Sequence, residues 1–129
     1  MSRLERTASA KFPDLKNIRH DGYKIAAESQ IAQVQRARPQ VWDNLRAKAH
    51  AIPNISDRAY VLAIVGAAML NRDSGKRKAV FEEAIIVAGG IRSDFDRLNR
   101  FVDLASVMMD SEPGLAKNCL RSAMASLIK

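Results

Sequence analysis

The two histidines and the single cysteine are the residues of this sequence best suited to catalysis or metal binding. His20 and His50 are far apart in the chain, and neither has a spacing to Cys119 that zinc sites use. We therefore predict no metal site. His50 stands near the end of a predicted helix, where a cation favours the helix dipole, so we interpret it as a surface residue. Cys119 falls on an apolar helical stripe and is predicted to be a buried small side chain.

The acidic residues also lack a catalytic arrangement. Glu82 and Glu83 are adjacent, so on a helix their side chains point about 100° apart, which suits a solvated edge better than an acid/base pair. Asp94 and Asp96 stand at a predicted helix start, where carboxylates cap the helix and favour its dipole. No nucleophile can be combined with a base. We predict that the chain is not an enzyme and uses no cofactor.

A Gly-Lys pair at Gly75 and Lys76 resembles part of a phosphate-binding loop. A Walker loop would need glycine at Leu70 and Ser or Thr at Arg77, and it would follow a strand. What remains is a basic cluster at a helix N-terminus, and we treat Lys76, Arg77 and Lys78 as a candidate contact for an anion or an acidic partner.

Composition predicts one all-α domain. The chain has 129 residues, of which 47% are hydrophobic and only 5% aromatic, and this mixture favours helices over strands. The longest apolar stretch, Ala59 to Leu70, is shorter than the roughly 20 residues that cross a bilayer. The first residues contain no apolar run typical of a signal peptide, and one cysteine cannot form an internal disulfide, so we expect a cytoplasmic protein.

An internal repeat organises the second half of the chain. When Asp57 is laid on Asp96, a shift of 39 positions, the segment from Asp57 to Ala88 falls on the segment from Asp96 to Leu127 without a gap. Apolar residues follow helical spacing within each copy, and each copy is interrupted near its middle, at Gly75 in the first and at Pro113-Gly114 in the second. Each copy is therefore predicted to be a pair of helices.

A weaker early copy extends this pattern. The same shift carries Val41-Trp42 onto Val80-Phe81, and Pro39 marks the break between two predicted helices. The apolar stripe predicted for the first of these helices is Tyr23, Ala26, Ala27, Ile31 and Val34. We predict a loose basic tail over residues 1–17 and one helical-repeat domain over residues 18–129, with pairs at about 18–50, 55–89 and 93–128.

The spacing of Ala116, Leu120 and Ala123, small then large then small, resembles the second helix of tetratricopeptide repeats, and Phe81 with Ala84 keeps part of it. The Asp-Arg helix start and the sequence EPGLA also resemble helix-pair repeats of bacterial α-solenoid proteins. The resemblance implies three antiparallel pairs stacked as a short right-handed α-solenoid, tetratricopeptide-like or HEAT-like, that binds a protein or peptide partner.

Two further expectations concern packing. Phe81 and Leu120 should occupy equivalent inward positions of successive second helices. The final helix should close the stack, with polar residues outside and an inner stripe of Leu115, Ala116, Cys119, Leu120, Ala123, Met124 and Leu127.

Two functions follow from this architecture. The leading one is protein or peptide binding by the ridge of first helices, where Arg58, Arg97 and Arg100 form a ladder of like charges. Changing all three to Glu should abolish binding and leave the chain helical. The alternative is nucleic-acid binding, because residues 1–50 carry ten Lys or Arg against five Asp or Glu, within a net charge of +7. The basic residues considered for that role are Arg3, Arg6, Lys11, Lys16, Arg19, Arg36, Arg38, Arg46 and Lys48.

Overall fold

The computed structural model describes residues 20–34, 36, 38–69 and 74–128; the predicted tail over residues 1–17 lies outside them. This part of the chain is helical and contains no strand, which confirms the all-α prediction. Its helices are α1 (His20–Val34), α2 (Pro39–His50), α3 (Ile55–Ala68), α4 (Ser74–Gly89), α5 (Asp94–Met108) and α6 (Pro113–Leu127).

Local sequence explains where four of these helices begin. Proline occupies the first turn of α2 and of α6, where its missing N–H leaves no hydrogen bond unmade. The side chain of Asn54 accepts a hydrogen bond from the backbone N–H of Asp57 at 2.9 Å, and Ser93 accepts one from Asp96 at 3.3 Å. Both are N-caps of the usual kind.

Helices consecutive in sequence pack as hairpins, and the hairpins contact one another through their first helices. α3 packs against its own partner α4 and also against α1 and α5. α2 contacts α1 and α3, and α4 contacts α5 and α6. These contacts are consistent with stacked helix pairs.

The core is centred on α3. Every residue from Ala59 to Gly66 is buried, because neighbouring helices cover α3 on several sides. A helix that is apolar all round can be stable only in such a position. None of the described helices combines the length and the apolar character needed to cross a membrane.

The prediction for Leu120 is wrong. Phe81 is fully buried, whereas Leu120 is 38% exposed. The inner stripe of α6 consists of smaller residues, Ala116, Cys119 and Ala123. The contact between α6 and α5 is made by these small side chains, and Leu120 lies at the edge of this contact.

The predicted inner stripe of α6 is buried only in part, because its larger residues near the C-terminus are exposed. Met124 is 61% exposed and Leu127 is 70% exposed. The outer side of the last hairpin is therefore partly apolar.

The expected stripe of α1 differs from the observed one as well. Val34 is exposed, while Ser29 and Gln30 are buried. The loop that follows contains a positive backbone φ of 52° at Arg36, which is unusual for a residue other than glycine.

Candidate functional site

Arg58 and Arg97 hold the starts of α3 and α5 to the preceding loops. Nε of Arg58 donates a hydrogen bond to the carbonyl of Ile52 at 2.9 Å. Arg97 donates one to the carbonyl of Ile91 at 2.8 Å. The shift that relates the two repeat copies carries the donor and the acceptor of the first bond onto those of the second. These contacts stabilise the helix starts, and a partner would have to compete with them.

Arg97 has two further contacts. Its guanidinium pairs with Asp94 and donates to Oγ of Ser126 at 3.2 Å, which connects the start of α5 to the end of α6. Only 13% of its side chain is exposed. Little of this cation is presented to a binding partner.

Arg100 does not extend an exposed ladder of charge, and that prediction is wrong. Its side chain is buried between α5 and α3, where Nε donates to Oγ of Ser56 at 2.8 Å and the guanidinium lies 4.6 Å from the centre of the Tyr60 ring. Asp57 lies 4.0 Å away, and Asp103 accepts a hydrogen bond at 3.1 Å. Burial raises the pKa of the Asp103 carboxyl, although the charge of Arg100 opposes this. Arg100 therefore joins two helices.

The basic cluster at the start of α4 is divided between the surface and the interior. Lys76 and Lys78 are exposed, but Arg77 is buried and pairs with Glu112 at 3.3 Å, at the start of α6. The expectation of three cations on one surface is thus wrong. The turn of α4 directs position 77 inward, toward the helix pair that follows.

Glu83 is not part of a solvated edge. It accepts hydrogen bonds from the guanidinium of Arg46 and lies 3.3 Å from Nε2 of His50, so it connects α4 to α2. Burial disfavours the charged carboxylate, but these hydrogen bonds outweigh it and lower the pKa of Glu83. Glu82 is exposed. The geometry of the cluster suits a structural connection between the two helices.

The cysteine is buried, as predicted. Cys119 is 0% exposed, and its Sγ lies 3.9 Å from Sδ of Met108. Burial raises the pKa of the thiol to about 11, so the thiolate is scarce at neutral pH. Within the described part of the chain, no three His, Cys, Asp or Glu side chains converge to hold a metal ion.

A cleft between α1 and α2 is the concave site of interest. It has a volume of about 590 Å³. Its apolar lining comes from both helices, and its polar lining carries three cations and one carboxylate. The apolar residues are Ile31, Ala32, Val41 and Leu45, and the polar ones are Glu28, Arg36, Arg38, Asn44 and Lys48.

The cations of this cleft differ in their availability. Lys48 pairs with Glu28 across the cleft at 3.1 Å. Arg36 and Arg38 are exposed, and neither makes a hydrogen bond or an ion pair through its side chain with any residue described here. The backbone of Arg36 has positive φ, a conformation that non-glycine residues adopt mostly where the surrounding structure imposes it. The loop thus holds two exposed guanidinium groups beside an apolar surface.

The sequence places Arg36, Arg38 and Lys48 among the many basic residues of its first half. It does not show directly that they lie beside Ile31 and Val41. The sequence feature that indicates this arrangement is the break at Pro39, after which α2 folds back along α1.

Comparisons with protein-family models, with curated proteins and with solved structures give no match to this chain.

Proposed function

We propose that this chain is a non-enzymatic, helical-repeat binding module, and that the cleft between α1 and α2 receives a segment of a protein or peptide partner. The preferred segment carries a large apolar side chain next to carboxylates. The observation that carries the proposal is the placement of Arg36 and Arg38, exposed and without an ion pair among the described residues, at the edge of an apolar cleft.

Matching contacts at the two helix-pair junctions support the repeat. Asn54 and Ser93 cap their helices, and Arg58 and Arg97 bind the carbonyls of Ile52 and Ile91. Every residue of the second set stands 39 positions after its counterpart. Two junctions built by the same contacts are what a stacked α-solenoid requires, because each pair must meet the next in the same way.

The chemistry of the cleft favours an acidic, amphipathic segment. Ile31, Val41 and Leu45 offer apolar surface that an aliphatic or aromatic side chain can cover. Arg36 and Arg38 can form two-pronged hydrogen bonds with carboxylates. Apolar contact supplies affinity, and the arginines select the charge and orientation of the segment.

Nucleic-acid binding is less well supported by the same site. The lining contains no aromatic side chain on which a base could stack. Two basic residues of the first half, Arg46 and Lys48, are paired with Glu83 and Glu28 and are partly neutralised. Within the described part of this half, phosphate contact would rest on the exposed cations that have no such partner.

Fluorescence anisotropy of labelled peptides tests the proposal. The probes are short peptides with a central Leu or Phe flanked by Asp and Glu, and the same peptides with Lys in place of the acids. We expect the acidic peptides to bind the full chain and the basic ones to bind at least about tenfold more weakly. Equal binding of both sets would contradict the proposal.

Charge reversal locates the site. Arg36→Glu with Arg38→Glu should weaken binding of the acidic peptide by at least about tenfold, because two attractions of up to about 1 kcal/mol each become repulsions. Arg92→Glu, an exposed arginine remote from the cleft in sequence, is the matched control and should change little. A single-stranded oligonucleotide that binds more tightly than every peptide, with a steep dependence on salt, would favour the nucleic-acid alternative.

A further inference from the structure

The last hairpin carries most of the exposed apolar side chains of the described chain. Seven of the ten large hydrophobic residues with substantial exposure lie between Phe95 and Ile128, so the apolar surface is concentrated there. We call six of them the outer face: Phe95, Val102, Met109, Leu120, Met124 and Leu127. A concentration of this kind marks an interaction surface more often than scattered single residues do.

The six residues form one exposed stripe on each helix of the hairpin. On α5, Phe95, Val102 and Met109 recur at every seventh position and lie on the side of the helix opposite Arg100, which faces α3. On α6, Met124 lies opposite Ser126, which receives the hydrogen bond from Arg97 at the inner side. The stripe on α5 therefore faces away from α3, and Met124 on α6 faces away from α5.

Three of the six corresponding positions in the preceding hairpin are buried. Val102 corresponds to Ala63, Leu120 to Phe81 and Leu127 to Ala88, each 39 positions earlier and each 0% exposed. That hairpin is covered on both sides, by α1 and α2 and by the last hairpin. Part of the outer face, including Val102 and Leu127, thus occupies positions that are buried in a hairpin covered on both sides.

We propose that the outer face binds the outer face of a second copy of this chain, which forms a two-fold symmetric dimer. The two-fold axis runs parallel to the helices and lies between the two copies, so that α5 of each copy packs on α6 of the other. This arrangement also matches the charges. α6 contains Lys117 and Arg121 and no acidic residue, whereas exposed Asp96 lies at the start of α5 and exposed Asp110 follows its end.

Sedimentation equilibrium of the full chain, from about 1 to about 100 µM, tests this dimer. We expect a monomer–dimer equilibrium. Met124→Glu with Val102→Glu should raise the dissociation constant at least about tenfold, because charge is introduced into the centre of an apolar contact. Both residues are exposed in the monomer, so the variant should keep its helical circular dichroism spectrum.

Ile86→Glu is the matched control, because Ile86 is 76% exposed but lies on α4 outside the outer face. This variant should dimerise like the unaltered chain. A chain that stays monomeric throughout the concentration range, or a dimer equally insensitive to both variants, would overturn the proposal.

Disulfide trapping tests the pairing of α5 with α6. V102C and M124C each add one thiol to a protein whose own Cys119 is buried. In an oxidised mixture of the two variants we expect the disulfide between V102C and M124C to exceed either symmetric product. Predominance of the V102C–V102C disulfide would show that α5 packs on α5, and the proposed axis would be wrong.

Discussion

The ring of Phe81 lies directly against the α-carbon of Gly66. A Cβ atom at position 66 would stand 2.8 Å from both Cδ1 and Cε1 of this ring, closer than real Cβ contacts allow. The absence of a side chain on α3 therefore creates the space that the phenyl ring of α4 fills. At the equivalent positions of the last hairpin stand Ala105 and Leu120, so a methyl group occupies the corresponding place on α5.

We predict that Gly66→Ala destabilises the protein by about 1 kcal/mol. The change gains about 1 kcal/mol of helix propensity, but overpacking of a filled core costs about 1 to 3 kcal/mol. Urea unfolding followed by circular dichroism measures the difference. Gly114→Ala is the control, because nothing lies within 4 Å of the added Cβ there, and it should be neutral or stabilising.

A second substitution tests the cause. Phe81→Leu in the Gly66→Ala background reproduces the Ala105 and Leu120 pair of the last hairpin, and it should recover part of the lost stability. If Gly66→Ala were as stable as Gly114→Ala, the close approach of Phe81 to Gly66 would be refuted.

Truncation of the large residues of α4 and α6 should have unequal effects. Phe81→Ala should cost about 3 to 5 kcal/mol, because the ring is fully buried and leaves a cavity. Leu120→Ala should cost less than about 1 kcal/mol in the monomer, since Leu120 is 38% exposed. The same urea measurement, made at a low protein concentration, checks both. Equal losses would restore the equivalence predicted from the repeat.

The contrast between these two residues shows how far sequence reasoning reaches in this protein. Helix starts were predictable, because Pro39, Pro113 and Ser93 act on the backbone beside them. The environment of Leu120 was not, because it depends on how α6 packs against α5. The inward stripe of α1 was assigned from apolar spacing, and the burial of Gln30 contradicts that rule.

The same distinction between local pattern and packing of separate helices applies to the candidate functional residues. Cys119 was interpreted correctly from its position on one helix. The burial of Arg100 depends on Ser56 and Tyr60, which belong to a helix of the preceding hairpin, and no local pattern indicates such a contact. The cleft likewise arises from the packing of α1 against α2, which places Arg36 beside Ile31.

Glu83 should contribute to stability in a pH-dependent way. Its pKa is lowered in the folded protein because the hydrogen bonds from Arg46 and His50 together outweigh burial, which is the largest single effect and acts in the opposite direction. Between the folded and unfolded pKa values the unfolded chain binds more protons, so this contribution is complete above the unfolded pKa and is lost as the pH falls through the folded one.

The measurement is the free energy of unfolding of Glu83→Gln and of the unaltered chain, from neutral pH to the acid range. We expect the difference between the two proteins to shrink as the carboxylate is protonated. Glu82→Gln, an exposed neighbour on α4, should run parallel to the unaltered chain. A Glu83→Gln difference that does not depend on pH would contradict the ionic role of this residue.

Reversal of the charge at Arg100 should destabilise the fold, contrary to the expectation from sequence that this position tolerates Glu. The substitution leaves a carboxylate beside Asp57 and Asp103 in a site where the Arg100 side chain is 9% exposed. Loss of one partner from such a buried pair costs about 3 kcal/mol or more. Thermal unfolding of Arg100→Glu, compared with exposed Arg92→Glu, measures this cost. Similar melting temperatures would mean that Arg100 is not buried against α3.

Replacement of Gln30 by methionine should stabilise the protein. Gln30 is 1% exposed, and neither its amide nitrogen nor its amide oxygen has a hydrogen-bond partner among the described residues. An unsatisfied buried polar group costs about 1 to 3 kcal/mol, whereas methionine has nearly the same length and adapts to the same space. We expect Gln30→Met to raise the free energy of unfolding in urea by about 1 kcal/mol.

Gln40→Met, at an exposed position of α2, is the control and should change the free energy of unfolding by less than about 0.5 kcal/mol. A loss of stability in Gln30→Met, with Gln40→Met unchanged, would show that the buried amide is hydrogen-bonded in solution.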